Sequence, residues 1–485
     1  MMNFNGVDLS AYLTVNRVTG RSLADYDITS IKVGGRDGER FASKRRPPRV
    51  LTVNYTIISE DEEELRTIID ELNAILNVDE PVPIVFDDEP TMTYYGVPED
   101  TSESGEFVRW NQGSISFYCA DPYKYGPEKV ATLSSDITSV HNAGSAEAFP
   151  VFELEVTKPI TFASIMRGEP EDSTYNLIGI PADDDVEVID TRTSVLYENG
   201  STIDTWTHTT DMRMVSHDVN IDGLNGVMGT DGAGIRVESR GPTTQKQNGP
   251  AVFKELPNAI QDFEVVSTFD IISRREIENW RMVIYFLDEN LNNIGHMGIK
   301  DNSRNYKRRT ALSQLGQHQQ GVTLIGDNSY VENNARDTTL FYLRFRREGK
   351  RFKVYIAHWR NQKHETVWEA SYNDVNNEFQ GKLKYITLFI GRFQDRVNPN
   401  RARINSVEVF ELSQAIVAAT PYLGSTGDIP TFHQALDKYL INGESRSDLR
   451  DFGGSFFTLK RGTNLLTVTP EDSFNAEIRY RERYV

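Results

Sequence analysis

Among 485 residues there is a single cysteine, Cys119. One cysteine excludes an intramolecular disulfide and any cysteine-rich zinc site; a small apolar residue in a strand is the expected role, against the alternative of a catalytic thiol. Long apolar runs are also missing. No window approaches the roughly 18 to 20 uncharged residues that a helical membrane span needs, so no membrane association is expected. The opening MMNFNGVDLSAYLTV has no basic stretch followed by an apolar core, and no secretory signal is expected from it. Positive charge is in short supply: 52 Lys and Arg against 71 Asp and Glu leave a net charge of −19. That balance argues against nucleic-acid binding, which needs clustered basic side chains to neutralise phosphates.

Signatures of catalysis are equally scarce. There is no phosphate-binding G-x-x-x-x-G-K-[ST] loop, and Gly229 to Gly234 (GTDGAG) lacks dinucleotide spacing and reads as a turn. None of the eight histidines forms H-E-x-x-H, and no G-x-S-x-G follows a strand. Paired carboxylates such as Asp87 with Asp88, or Asp183 to Asp185, have the chemistry of a glycosidase acid and base. In so acidic a chain they read first as exposed loop charge. No enzymatic activity is expected.

What is present is mostly β pattern. A length of 485 residues exceeds one ordinary core and predicts two to four domains. Arg49 to Ile58 (RVLTVNYTII) places Leu51, Val53, Tyr55 and Ile57 on one face of a strand, opposite Thr52, Asn54 and Thr56. A helix follows, from about Glu60 to Asn77. Ser59 and Glu62 form its expected capping box, and Leu65, Ile68, Ile69, Leu72, Ile75 and Leu76 recur at helical spacing, so it should lie on a sheet. Its acidic start, Glu60 to Glu64, reads as solvated. PVPIVFDD and SISFYCA predict further strands, closing a first α+β domain over 1–128.

A second β unit begins at 129, with Val151 to Thr157 (VFELEVT) as its clearest strand, and is interrupted. Residues 191–412 read almost wholly as strands separated by Gly, Asn and Asp-rich turns, which predicts a sandwich or jelly roll. This block holds 29 Lys and Arg against 27 Asp and Glu, so it is nearly neutral inside an acidic chain. The final segment completes the interrupted unit, giving a discontinuous sandwich from 129–190 and 413–485.

Four of the five tryptophans, Trp206, Trp280, Trp359 and Trp368, fall in the inserted block. Its best-signalled hairpin, TLFYLRFRREGKRFKVYIAHW, alternates Phe341, Leu343, Phe345, Phe352, Val354 and Ile356 inward and turns at Glu348-Gly349. The other face then carries Tyr342, Arg344, Arg346, Lys353 and Tyr355. Aromatic faces stack on sugar rings, and guanidinium groups bind hydroxyls and phosphates. Tyr342, Arg344, Lys353, Tyr355 and Trp359 are therefore the candidate carbohydrate-binding residues. The competing reading is ordinary: basic and Tyr residues populate exposed strands, and tryptophan is more often core than platform.

Phe107 to Gly126, FVRWNQGSISFYCADPYKYG, resembles the siphophage distal tail protein family, in which an aromatic strand runs into a D-P-Y-x-Y-like turn, here Asp121 to Tyr125. The opening NFNGVDLS, the helix with its flanking strands, HNAGSAEAFPVFELEV (His141 to Val156) and the ending IRYRERYV are similar to the same family. The resemblance implies a mainly β protein with a ring-forming N-terminal domain, a homohexamer, and a galectin-like β-sandwich. It places the protein in the virion, at the distal end of the tail. Implied partners are the tail tube protein, the tape-measure protein, a tail-associated lysin or tail fibre protein, and receptor-binding or other baseplate proteins. The insertion resembles concanavalin or laminin-G-like jelly rolls of extended relatives and implies adhesion to host cell-wall polysaccharide. No cofactor is implied, beyond a structural Ca²⁺ that such a jelly roll can carry. The alternatives are a stand-alone lectin and a cell-wall glycoside hydrolase.

Overall fold

The computed structural model of the chain describes all residues except 1, 24, 36, 108, 135–136, 169–172, 183–185, 304, 318–319, 327, 333–337, 361–362 and 414–418. The chain is mainly β and divides into two units. The first comprises Met1–Gly179, Gly424–Ile441 and Ser445–Val485; the second comprises Ile180–Leu423 with Asn442–Glu444.

The first unit opens with a seven-stranded sheet ordered Val7–Asp8, Met2–Phe4, Val82–Phe86, Tyr94–Phe107, Trp110–Cys119, Arg49–Ile58 and Thr14–Thr19. Strand Arg49–Ile58 buries Leu51, Val53, Tyr55 and Ile57, as its two-residue period predicts. The helix runs Glu62–Leu76 and buries Leu65 and Leu72, with Ile68, Ile69, Ile75 and Leu76 packed at the edge of the same core. Its cap lies two residues beyond the expected box. Asp61 is the N-cap and accepts from the Glu64 amide at 2.9 Å, while Glu64 accepts from the Glu60 amide. Ser59 instead donates to the Asp61 carbonyl. Two oxygens that compete for one helix start are told apart by which backbone bends first, and here that is Asp61, in extended conformation.

Two further sheets complete this unit. One orders Lys124–Leu133, Phe474–Tyr484, Val151–Val156, Pro430–His433 and Lys438–Ile441; the other orders Thr138–Asn142, Gly462–Thr469, Phe162–Arg167 and Thr174–Gly179. Phe152, Leu154 and Ile478 on the first, and Ile165, Leu466 and Val468 on the second, are buried at alternate positions. Strands from both sides of the insertion therefore share each sheet.

In the second unit an eight-stranded sheet centres on Arg401–Leu412, Phe263–Ile272, Thr338–Glu348 and Arg351–Arg360, with Lys363–Asn373 at one side and Ile235–Arg240 and Gly226–Thr230 at the other. A ten-stranded sheet centres on Ala251–Ile260, Leu383–Phe393, Trp280–Leu287, Asn293–Asp301 and Arg308–Leu315. One apolar cluster joins their inner faces, including Phe263, Phe269, Met282, Ile284, Phe286, Phe345, Leu388 and Ile390. Trp206 and Trp280 belong to that cluster and Trp368 packs on it, so three of the four tryptophans of the block serve the core. A smaller cluster on the far side of the ten-stranded sheet joins Val283, Tyr285, Leu312 and Phe389 to Val215, Ile221 and Leu224. It explains why Trp280–Leu287 is buried at every position. Near both ends of its main segment the unit closes on itself: Val188–Ile189 pairs parallel with Thr420–Pro421, Arg192–Glu198 pairs antiparallel with Arg401–Leu412, and the Ser413 amide donates to the Thr191 carbonyl.

Candidate functional site

The hairpin that carries the candidate sugar-binding residues pairs Leu340 with Trp359, Tyr342 with Ala357, Arg344 with Tyr355 and Arg346 with Lys353. Its inward set, Phe341, Leu343, Phe345, Phe352, Val354 and Ile356, is buried as expected. The turn falls one residue later than the sequence reading, at Gly349-Lys350, where Gly349 takes φ +55° between the paired Glu348 and Arg351.

The opposite face is not an open platform. Tyr355 is only 3% exposed, and its hydroxyl lies 2.7 Å from His364 Nδ1. The His364 ring is 4.9 Å from Tyr342 and 6.4 Å from Trp359. Burial pushes the His364 imidazole down to about 4, so it is neutral at physiological pH, and burial raises both tyrosine phenols well above their usual range. Arg344 and Arg346 converge on Glu264, at 3.4 and 2.9 Å, and Arg192 reaches its other oxygen at 2.7 Å. Arg344 also pairs with Glu444, in a short segment of the same unit. Burial alone would raise the Glu264 carboxyl, but the three guanidinium groups hold it at about 2. Lys353 and Trp359 are half-buried; the exposed Leu340 is paired with Trp359, and the exposed Val367 with Ala357. The five candidates thus share one face. Tyr342, Arg344 and Tyr355 are tied into internal contacts, leaving Trp359 on the accessible rim.

In the first unit a hairpin of Asp27–Lys32 and Glu39–Arg45 forms a separate two-stranded sheet in which every described residue is exposed. Ile28, Ile31 and Phe41 are 65, 53 and 62% exposed. At its base begins a series of cations stacked on rings. Lys44 and Arg46 lie over Tyr26, Arg46 and Arg483 over Tyr123, and Arg481 over Tyr95 and Tyr125. The Asp121 to Tyr125 turn is held within it: Asp121 accepts from the Tyr123 amide and the Tyr125 hydroxyl. The turn and IRYRERYV are far apart in the sequence, and the cation–ring contacts join them. The visible signal was the two-residue spacing of Arg479, Arg481 and Arg483, which puts all three on one strand face.

Cys119 is buried and its thiol is pushed up to about 11 by burial, which suits packing rather than nucleophilic chemistry. Asp88 is engaged by both terminal nitrogens of Arg21, at 2.7 and 2.8 Å; the Asp183 to Asp185 run lies outside the described residues. Among the described residues no group of three or more His, Cys, Asp or Glu is arranged to hold a metal, and no helix is long and apolar enough to cross a membrane.

Segments toward both ends of the chain match known families. Residues 7–119 match the phage tail protein RIFT-related domain, and residues 416–484 match the siphovirus-type tail component, C-terminal domain. The chain is 37% identical over 162 residues to the distal tail protein of Bacillus phage SPP1, an alignment covering 32% of this chain and 64% of that protein's length. The crystal structure of SPP1 Dit, described as a paradigm of hub adsorption apparatus, aligns at 31% identity over 37% of this chain and 74% of that one, with a TM-score of 0.35. The CBM2 module of the evolved Dit of Lactobacillus casei BL23 phage J-1 aligns at 11% identity over 47% of this chain and all of its own, with a TM-score of 0.38. The sequence matches at both ends of the chain show the family: the chain belongs to the siphovirus distal tail protein family.

Proposed function

We propose that the chain is a structural component of the tail-tip hub of a siphovirus, whose first domain assembles into a ring and whose insertion adheres to host cell-wall saccharide. The observation that carries the reading is the exposed hairpin Asp27–Lys32/Glu39–Arg45, inside the segment matched to a phage tail domain. An isolated two-stranded hairpin is marginal in water, and one that displays Ile28, Ile31 and Phe41 gains stability by covering them against another chain. A second copy is the natural cover, and repetition around a closed ring gives every hairpin a partner. The proposed hexamer joins the tail tube and tape-measure proteins on one side, and a lysin or fibre and baseplate proteins on the other.

The second sheet pair of the first unit is read as the family's galectin-like sandwich, and the second unit as a concanavalin-like jelly roll. The near neutrality of residues 191–412 and their paired first and last strands support a module with its own surface. Adhesion by a ring gains from several copies acting together, by roughly 10² to 10⁴ in effective affinity. Light scattering tests the assembly. The full chain should run as a closed oligomer, Ile31→Asp with Phe41→Asp should give a folded monomer, and replacing 191–412 by a short linker should leave the ring intact. A parent chain that stays monomeric at high concentration would remove the hub reading and favour a stand-alone lectin.

A further inference from the structure

One arrangement of charge in the second unit has no counter-charge among the described residues. In strand Ile235–Arg240, Ile235 and Val237 face the core; a register shift then sets Arg240 opposite Gly226, in phase with the core pair Met228 and Val237. On the other sheet Leu388 and Ile390 face the same core, and two residues on, in the same phase, stands Arg392. The two inner faces of the sandwich are thus each extended past the apolar core by an arginine, one from each sheet. Arg240 Nη1 and Arg392 Nε are buried without a hydrogen-bond partner among the described residues, and no ion pair to either arginine is formed there. Arg392 Nη1 donates to the Arg396 carbonyl at 3.0 Å. Burial, and then the positive charge of Arg392, hold the Arg240 guanidinium down at about 10. Elsewhere in the unit Arg309 meets the carboxylate of Asp301, Arg281 that of Asp218, and Arg347 three backbone carbonyls, although the Nε of each, like that of Arg392, makes no hydrogen bond among the described residues.

Like charges gathered in a half-buried place repel, and an anion that accepts from both turns that repulsion into attraction; planar guanidinium groups suit phosphate oxygens in particular. We propose that the end of the sandwich framed by Arg240 and Arg392 is an anion-binding site whose ligand is the phosphodiester of a phosphate-bearing wall polymer. The proposal rests on the adhesion reading above and narrows its ligand.

The test uses the full chain with two probes, inorganic phosphate and purified poly(glycerol phosphate), with dextran as an uncharged polymer. Both anions should raise the thermal midpoint of the parent, and polymer binding should weaken as NaCl rises while dextran does nothing. Arg240→Gln and Arg392→Gln should each raise the midpoint without phosphate, because a repulsion is removed, and lose about tenfold or more in polymer affinity. Arg236→Gln, on the opposite face of the same strand, should behave as the parent. A parent unmoved by either anion, or a double variant that binds the polymer as well as the parent, overturns the site. Stabilisation by inorganic phosphate without polymer binding overturns the polymer assignment. Capture of intact host walls separates the two claims. Equal capture by parent and double variant leaves adhesion standing without this site; arginine-dependent polymer binding with no wall capture leaves the site without adhesion.

Discussion

The guanidinium of Arg483, two residues from the end of the chain, lies 4.0 Å over the ring of Tyr123, in the turn that follows the first domain's last strand. The same group reaches Phe149 at 4.8 Å and Tyr125 at 6.0 Å. Cation–ring contacts contribute about 0.5 to 2 kcal/mol each, more when desolvated. Arg483→Ala should therefore cost about 1 to 3 kcal/mol, and Arg483→Lys, which keeps charge but loses the stacking plane, somewhat less. Urea unfolding of the full chain checks this. An unchanged midpoint in the alanine variant would mean the stack is decorative.

Leu72, 6% exposed, faces the seven-stranded sheet from the helix. Leu72→Ala should lower the stability of the first unit by about 2 to 5 kcal/mol, as loss of a buried leucine does. Ala74, exposed on the same helix, is the control position: Ala74→Ser should change stability by under about 1 kcal/mol. Equal small losses at both positions would contradict the packing.

Glu264 supplies the acid sensitivity of the second unit. Its carboxyl is held at about 2, below the ordinary 4.5, so it adds stability that is complete above about pH 4.5 and is lost as pH falls toward 2. Glu264→Gln should flatten that part of the stability curve. At neutral pH it should cost about 3 to 5 kcal/mol, because Arg192, Arg344 and Arg346 lose their shared counter-charge. Denaturation midpoints from pH 7 downward are the measurement; acid limbs that superimpose for parent and variant would refute it.

The rim of the hairpin and its centre should respond differently. Trp359→Ala should reduce host-wall capture about three- to tenfold with little change in thermal midpoint, since a stacked ring contributes on the order of 1 kcal/mol. Tyr355→Ala should lower the midpoint first, because it opens a buried site and frees His364. Full wall capture by Trp359→Ala would move the saccharide site off this face.

Much of the architecture was legible because its signal is local. Two-residue alternation identified Arg49 to Ile58 and the inward residues of the Phe341 to Ile356 hairpin, and helical spacing identified Leu65 and Leu72. Two details were displaced by one or two residues, the cap at Asp61 and the turn at Gly349-Lys350, where neighbouring residues offer the same chemistry. The candidate face was harder. Alternation shows that Tyr342 and Tyr355 point away from the core, but what covers an outer face comes from elsewhere in the chain, here Glu264 and His364. The Arg483–Tyr123 stack likewise joins positions that no periodicity connects.

The place of the last strand has a consequence for how the protein is made. Phe474–Tyr484 lies between Lys124–Leu133 and Val151–Val156, and Asn475 meets Glu155 across a separation of 320 residues. At about 5 to 20 residues per second, a ribosome takes roughly 15 to 60 s to deliver that strand after its neighbours have emerged. Throughout that interval Val151–Val156 presents an unpaired edge, the kind of surface that recruits strands from other nascent chains. Glu153 and Glu155 alternate with its buried Phe152, Leu154 and Val156, so the waiting edge carries negative charge until its partner arrives.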